Sequence, residues 1–237
     1  MREAPFADSE TRTRFGNLLP EGDFLNAVAR RLGRSTGDVF GLLVDLGGEC
    51  AGAISLLPSG NDPLEPGRYQ QLGEDELFAL VSADPPLPLL AGETGVRLSL
   101  AGAQNKVPVY VDDGGIHKVT GSLATTHILK PPIRAAIALP HMVENEAFCM
   151  QLAARLGLVV PKAQVRAVCG QSFYLVERFD RRRNRGRIER LHQKDLCQAL
   201  GVGVAEQKIE ADPAQQLFAV HSRSRAVVAQ KAPNSRQ

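Results

Sequence analysis

The chain has 237 residues, of which 43% are hydrophobic and 23% charged, with a formal net charge of +2. This is the composition of a soluble globular protein, long enough for one large domain or two small ones. No run approaches the roughly 18 uncharged apolar residues of a membrane span, the opening MREAPFADSE lacks the apolar core of a signal peptide, and so small a net charge does not mark a nucleic-acid binder.

From the N-terminus, PEGDFLNAVARRLG predicts a helix with Phe24, Leu25, Val28 and Leu32 near one face and Gly33 at its end. STGDVFGLLVDLGG predicts a second, capped by Ser35 or Thr36 and striped by Val39, Leu42, Leu43 and Leu46. CAGAISLLP, apolar and bounded by Gly and Pro, reads as a short buried strand. RYQQLGEDELFALVSA predicts a strand and then a helix from about Glu74. DPPLPLLAGETG, rich in Pro and Gly, is the candidate linker.

Beyond it the texture changes. RLSL, KVPVYVDD, GIHKV and THILKPP read as four short strands separated by turn residues. HMVENEAFCMQLAARLGL predicts a long helix. Val143, Ala147, Met150 and Ala154 form its apolar line, Phe148, Leu152 and Leu156 widen it, and Gly157 stops it. AQVRAVCG and QSFYLVERF predict two more strands. DRRRNRGRIER follows as a solvated or partner-facing loop, then HQKDLCQALG as a helix. After about Ala211 the periodicity decays into a frayed tail.

The four cysteines (Cys50, Cys149, Cys169, Cys197) have no CxxC pairing. They read as buried thiols of a cytoplasmic protein, not as a disulfide framework or a zinc site. The histidines show no metal-ligand spacing, and His127 is most simply a strand residue. The arginines from Arg178 to Arg190 lack interleaved aromatics beyond Phe179 and are diluted by Glu177, Asp180 and Glu189, which argues against direct nucleic-acid contact.

Three places can carry chemistry. SLAGAQNKVPVYVDDGG sets a Gly/Ala bend before a strand, with Lys106 at its edge. Small residues let backbone N–H groups approach phosphate oxygens, and a lysine adds a point charge; taken alone, the same bend suits an ordinary hairpin. Lys130 ends the strand THILK, where a lysine can reach nucleotide phosphates and pair with a glutamate of the next helix. Glu144 and Glu146 are on offer there, Glu146 beside the inward face; the alternative is a strand-end lysine in water and a glutamate that favours a helix N-terminus. The third place is YLVERFDR, where a strand end could offer backbone groups to an adenine edge, or simply end in solvated charges.

Taken in order, RLSLAGAQNK, HKVTGSLATTHILKPP, VENEAFCMQLAARLGL, YLVERFDRR and LHQKDLCQALG resemble the HipA family of bacterial serine/threonine protein kinases, the toxin halves of toxin–antitoxin pairs. RTRFGNLLPEGDFL and DVFGLLVDLGGECAGAISLLP resemble the small domain that precedes the kinase lobe in that family. The resemblance runs from about Phe6 to Glu210. It implies an α+β fold: a kinase-like N-lobe of antiparallel sheet and one long helix at 95–182, after a partial α/β domain at 1–94 and before the stub of a helical C-lobe with an irregular tail at 183–237.

The resemblance also implies an ATP site. Ala101, Gly102, Ala103, Gln104, Asn105 and Lys106 would form the phosphate loop, Lys130 would contact phosphate with Glu146 as its partner, and Glu177, Arg178 and Phe179 would form the adenine hinge. Ser99 falls where family members autophosphorylate and eject this loop, as a dianion beside ATP phosphates must. Family partners are a helix-turn-helix antitoxin (HipB-like) and protein substrates such as aminoacyl-tRNA synthetases; neither a membrane nor direct nucleic-acid contact is implied. Intact members hold Mg²⁺ and the catalytic base in a GNxDxHxKN run and a later YD motif. Neither motif occurs here, so no catalytic or metal residue is assigned, and the expectation is a kinase truncated at both ends and inactive as it stands. The alternatives are a nucleotide- or antitoxin-binding remnant and a frameshifted product without function.

Overall fold

A computed structural model describes residues 5–60, 66–83, 104–133, 141–195, 198, 199 and 201. Ser99, Ala101, Gly102, Ala103, the linker, the strand RLSL, Leu196, Cys197 and Leu200 of the last expected helix, and the tail lie outside the described residues. Two units divide the chain: Met1–Asn17 with Lys194–Gln237, and Leu18–Gln193.

In the first unit, α1 (Asp8–Gly16) went unforeseen because it has no apolar stripe and buries no residue. Its start and end are marked by charge: Asp8 and Glu10 in the first turn, Arg14 in the last, each opposing the helix dipole. Arg12 pairs with Asp8 one turn back at 2.7 Å.

In the second unit, α2 (Gly22–Arg31) buries Val28 and Ala29, and α3 (Val39–Leu46) buries Leu42, Leu43 and Leu46. The cap of α3 is Asp38, whose carboxylate accepts from the Gly41 amide at 2.9 Å, not Ser35 or Thr36. The predicted strand at CAGAISLLP does not form. Its backbone groups find side chains in place of a neighbouring strand: Cys50 O accepts from Arg178, Gly52 O from Arg181, and Gly52 N–H donates to Asp180.

A six-stranded sheet follows, built from β1 (Tyr69–Gln71), β2 (Val107–Asp112), β3 (Gly115–Val119), β4 (His127–Lys130), β5 (Ala163–Val168) and β6 (Gln171–Glu177). Its order is β1-β3-β2-β4-β6-β5, and every neighbouring pair is antiparallel. The helix α4 (Glu74–Ser82) supplies Leu80 and Val81 to a core with Val107, Val109, Ile116, Leu129, Phe173 and Leu175. Because successive strand residues alternate faces, Lys130 and Tyr174 point to the other side, where α5 (Met142–Arg155) packs Val143 and Ala147 against Tyr174.

Gly157 ends α5 with φ +82°, and Leu158 N–H closes back on Ala153 O at 3.1 Å. The predicted widening of the apolar line fails: Phe148, Leu152 and Leu156 face solvent, and Ala154 is exposed too. At about 3.6 residues per turn Phe148, Leu152 and Leu156 fall on the helix face away from Val143, so the sheet that takes Val143 and Ala147 cannot cover them.

The segment read as an arginine loop is a hairpin, β7 (Arg181–Asn184) and β8 (Arg187–Arg190). Its two-residue turn puts Arg185 and Gly186 at φ +46° and +79°, the left-handed pair that matches strand twist, and Gly186 supplies half of it without strain. Glu189 stands opposite Arg182 and pairs with it at 2.7 Å. Of the described cysteines Cys50 is buried as expected, while Cys149 and Cys169 are exposed; Cys197 lies outside the described residues. Burial, and then the charge of Glu49, pushes the Cys50 thiol up to about 12.

Candidate functional site

The site begins with pairing register. Lys130 closes β4, one strand from β2 and one from β6. Across β4 and β6, Lys130 stands opposite Tyr174, and its ammonium lies 5.5 Å from that ring's centroid. On the other side Val107 pairs with Leu129, and Lys106, just before β2, lies close enough to Lys130 for the two like charges to repel.

The counter-charge comes from α5. Glu146 follows Val143 by three residues, so the packing that docks Val143 and Ala147 also turns Glu146 toward the sheet. Lys130 Nζ donates to Glu146 Oε2 at 2.6 Å. Both side chains keep about a quarter of their surface exposed, at 24% and 23%. Lys106 feels the crowding: burial and then the charge of Lys130 lower its pKa, while Glu21 and Glu146 oppose that shift. Burial, followed by the charge of Glu146, pushes the Tyr174 hydroxyl up to about 12. Two ammonium groups thus share the neighbourhood of Glu146 at a partly open edge, an arrangement suited to a polyanion.

The remaining expected site residues are placed as follows. Gln104 and Asn105 are described and half-buried; the four residues from Ser99 to Ala103 named above are not described. Glu177 N–H donates to Lys162 O and Arg178 N–H to Thr126 O, so both amides serve the sheet. Phe179, 71% exposed, has its amide outside this strand pairing. The Arg178 side chain turns inward and is 4% exposed.

That side chain belongs to a buried cluster that the sequence reading missed. Glu49 accepts from the Thr125 amide and hydroxyl, from Arg178 and Arg181, and from Arg190. Asp180 accepts from the Gly52 amide at 2.7 Å and takes both Nε and Nη2 of Arg178, at 2.9 and 2.7 Å. Burial alone would raise both carboxyl pKa values. For Glu49 the charges of Arg178, Arg190 and Arg181 outweigh it, and for Asp180 the Arg178 hydrogen bonds and charge do, so both end below the ordinary range. The available signal was Glu49 itself, one acid in an otherwise apolar and glycine-rich run, with arginines crowded elsewhere and needing buried partners. Among the described residues no group of three or more His, Cys, Asp or Glu could hold a metal ion, and no helix is long and apolar enough to cross a membrane.

A mixed α/β chain with an antiparallel sheet and a strand lysine paired to a helix glutamate fits a definite class. The HipA-like C-terminal domain family matches residues 98–235, and the HipA N-terminal domain family matches residues 1–57. This chain belongs to the HipA family. It is similar to a Sinorhizobium fredii protein named "Putative kinase Y4mE", 47% identical over 85% of this chain and 49% of that protein. It is also similar to the "Serine/threonine-protein kinase toxin HipA" of Shewanella oneidensis, 33% identical over 80% of this chain and 43% of that one. The solved complex of Shewanella oneidensis HipA with HipB and its operator DNA contains a chain that superposes with a TM-score of 0.65 at 33% identity, covering 83% of this chain and 45% of that chain. The chain therefore spans about half the length of the curated relatives it matches.

Proposed function

We propose that the sheet and α5 are the nucleotide-binding N-lobe of a HipA-like serine/threonine kinase, and that this lobe takes the triphosphate of ATP at the Lys106–Lys130 edge. The observation that carries the reading is the Lys130–Glu146 pair, with Lys106 close to Lys130. A strand lysine held by a helix glutamate presents its charge at a fixed point to phosphate oxygens, and a second ammonium there lowers the cost of gathering several negative charges. By the family resemblance Ala101 to Lys106 would supply the phosphate loop, and the Phe179 amide would serve the adenine edge between Glu177 and Phe179. ATP fits the donor set, because two ammonium groups stand close together at a partly open edge.

Magnesium does not fit the described residues, which offer no cluster of carboxylates, so no step is assigned to a metal. The 237 residues contain no GNxDxHxKN run, and the segment is expected to bind nucleotide without transferring phosphate. When part of a longer kinase it would serve transfer to a protein hydroxyl, such as one on an aminoacyl-tRNA synthetase, and pair with a HipB-like helix-turn-helix antitoxin. The pairing draws support from the Shewanella oneidensis complex, which contains HipB. Phosphorylation of Ser99 would place a dianion beside the bound triphosphate and oppose its binding.

Thermal unfolding with and without ATP tests the reading. Saturation at about 100 times Kd stabilises the folded state by roughly 2.7 kcal/mol. No shift with ATP, or an equal shift with adenosine, would remove the phosphate from the site.

A further inference from the structure

A second concavity shares no lining residue with the lysine edge. It has a volume of about 400 Å³, and its lining includes Tyr69, Tyr110, Leu123, Ile188, Arg187 and Arg190. That volume falls within the roughly 300–1,000 Å³ usual for small-ligand sites. We propose that this cavity binds a small aromatic anion, an aryl phosphate or aryl carboxylate, with the ring against the tyrosines and the anionic group on Arg187 and Arg190.

Three observations converge. First, the aromatic wall is pre-formed. Tyr69 on β1 and Tyr110 on β2 flank the intervening strand β3, opposite Val119 and His117, and their rings stack with centroids 3.9 Å apart and planes inclined by 21°. Tyr69 Oη donates to Ala124 O at 3.2 Å, which fixes the ring. Second, every charged side chain lining the cavity is cationic. Arg190 is anchored through Nη2 to Glu49 and to the carbonyls of Ser122 and Leu123, which holds its guanidinium in the cavity wall. Arg187, exposed in the lining, adds a second guanidinium that makes no ion pair among the described residues. Third, the hairpin carrying both arginines is held to the sheet. Arg183 Nη2 donates to Val111 O at 2.8 Å, and its guanidinium carbon lies 5.5 Å from the Tyr110 ring centroid. A wall fixed before the ligand arrives costs less to order on binding. Leu123 and Ile188 complete the surface with apolar contacts, which favours a ring over a bare anion.

The chain has three tyrosines and no tryptophan, and two of those tyrosines stand in this cavity. Titration of the full chain with phenyl phosphate, followed by the tyrosine ring signals in NMR and by calorimetry, reads the site directly. The expected result is saturable movement of the Tyr69 and Tyr110 signals. Arg187→Ala should weaken binding by about tenfold, the loss of one charge-assisted contact. Arg187 is exposed, so this variant keeps the buried cluster. Lys130→Ala should leave phenyl phosphate affinity unchanged, which separates this site from the nucleotide edge: failure here leaves ATP binding untouched, and failure of ATP binding leaves this titration unaffected. Inorganic phosphate and phenol should each bind at least about tenfold more weakly than phenyl phosphate, because each lacks one half of the recognition. Inorganic phosphate binding as tightly as phenyl phosphate, equal affinity for phenol, or loss of binding in Lys130→Ala would each overturn the proposal.

Discussion

The Lys130–Glu146 edge and the Glu49–Arg178–Asp180 cluster are both made of paired charges, and they differ in what they leave unanswered. In the cluster, both carboxylates are almost wholly enclosed, and each meets several donors, guanidinium and backbone alike. At the edge, about a quarter of the Lys130 and Glu146 side chains reaches solvent, and Lys106 adds a second ammonium nearby. Enclosed and matched charges fix a structure, because no water can replace a lost partner. Half-open charges keep a face that a ligand can still meet. The cluster ties the turn after α3 to the exit of β6, the segment we propose for the adenine edge. It thereby sets where that segment stands, while the lysine edge sets what it can bind.

The strongest way to break this contrast is Glu49→Ala. It leaves Arg178, Arg181 and Arg190 facing one another with a single carboxylate, and removal of one partner from a buried ion pair costs about 3–5 kcal/mol. Urea unfolding should show the midpoint collapse accordingly. A loss under about 1 kcal/mol would mean that the cluster behaves like a surface pair.

Next comes the response to acid. Glu49 and Asp180 both titrate below their ordinary values of 4.5 and 3.8 in the folded chain. The folded state therefore binds fewer protons than the unfolded one in that range, and stability falls as pH falls. The contribution is complete above those ordinary values and is lost progressively below them, toward the folded pKa values. Thermal unfolding from pH 6 down to pH 3 should show the fall, and Glu49→Gln should flatten it. An unchanged slope in that variant would move the acid sensitivity elsewhere.

Lys130→Ala inverts the pattern. A pair so exposed contributes at most about 1 kcal/mol to stability, while loss of the cation opposite the phosphates should weaken ATP binding by about tenfold or more. Calorimetry with ATP against adenosine separates the two. If the variant unfolds easily and still binds ATP normally, the roles of the two charge groups are exchanged.

The sequence revealed the edge more readily than the cluster, for a physical reason. Strands β2 to β6 and the helix α5 follow from local period and turn chemistry, and Lys130 and Glu146 lie only 16 residues apart on adjacent elements. Glu49 meets Arg178 across 129 residues, and no local period reports such a contact. The same distance explains the false strand at CAGAISLLP: its composition suits a sheet, but its backbone partners are arginine, aspartate and other side chains far along the chain. The arginine hairpin was misread because its alternation is charged on both faces, one meeting Glu49 and the other Glu189 or solvent. The absent stripe of α1 hid that helix in the same way, since only its terminal charges mark it.

The smallest expected effect is also the sharpest in sign. Lys106 stands close to Lys130, and burial together with that neighbour already disfavours its charged form. Lys106→Met keeps most of the side chain's length and apolar contact while removing the repulsion. Its effect on stability should therefore be neutral to stabilising, by no more than about 1 kcal/mol, the scale of one partly exposed charge pair. ATP affinity should fall in the same variant, because the second ammonium is lost. A residue kept for packing loses stability when replaced, and one kept for an absent anion loses only affinity. Urea midpoints and ATP calorimetry on this one variant therefore discriminate the two. A destabilised Lys106→Met with unaltered ATP affinity would show that the lysine serves the fold, and the edge would lose its second cation as a phosphate contact.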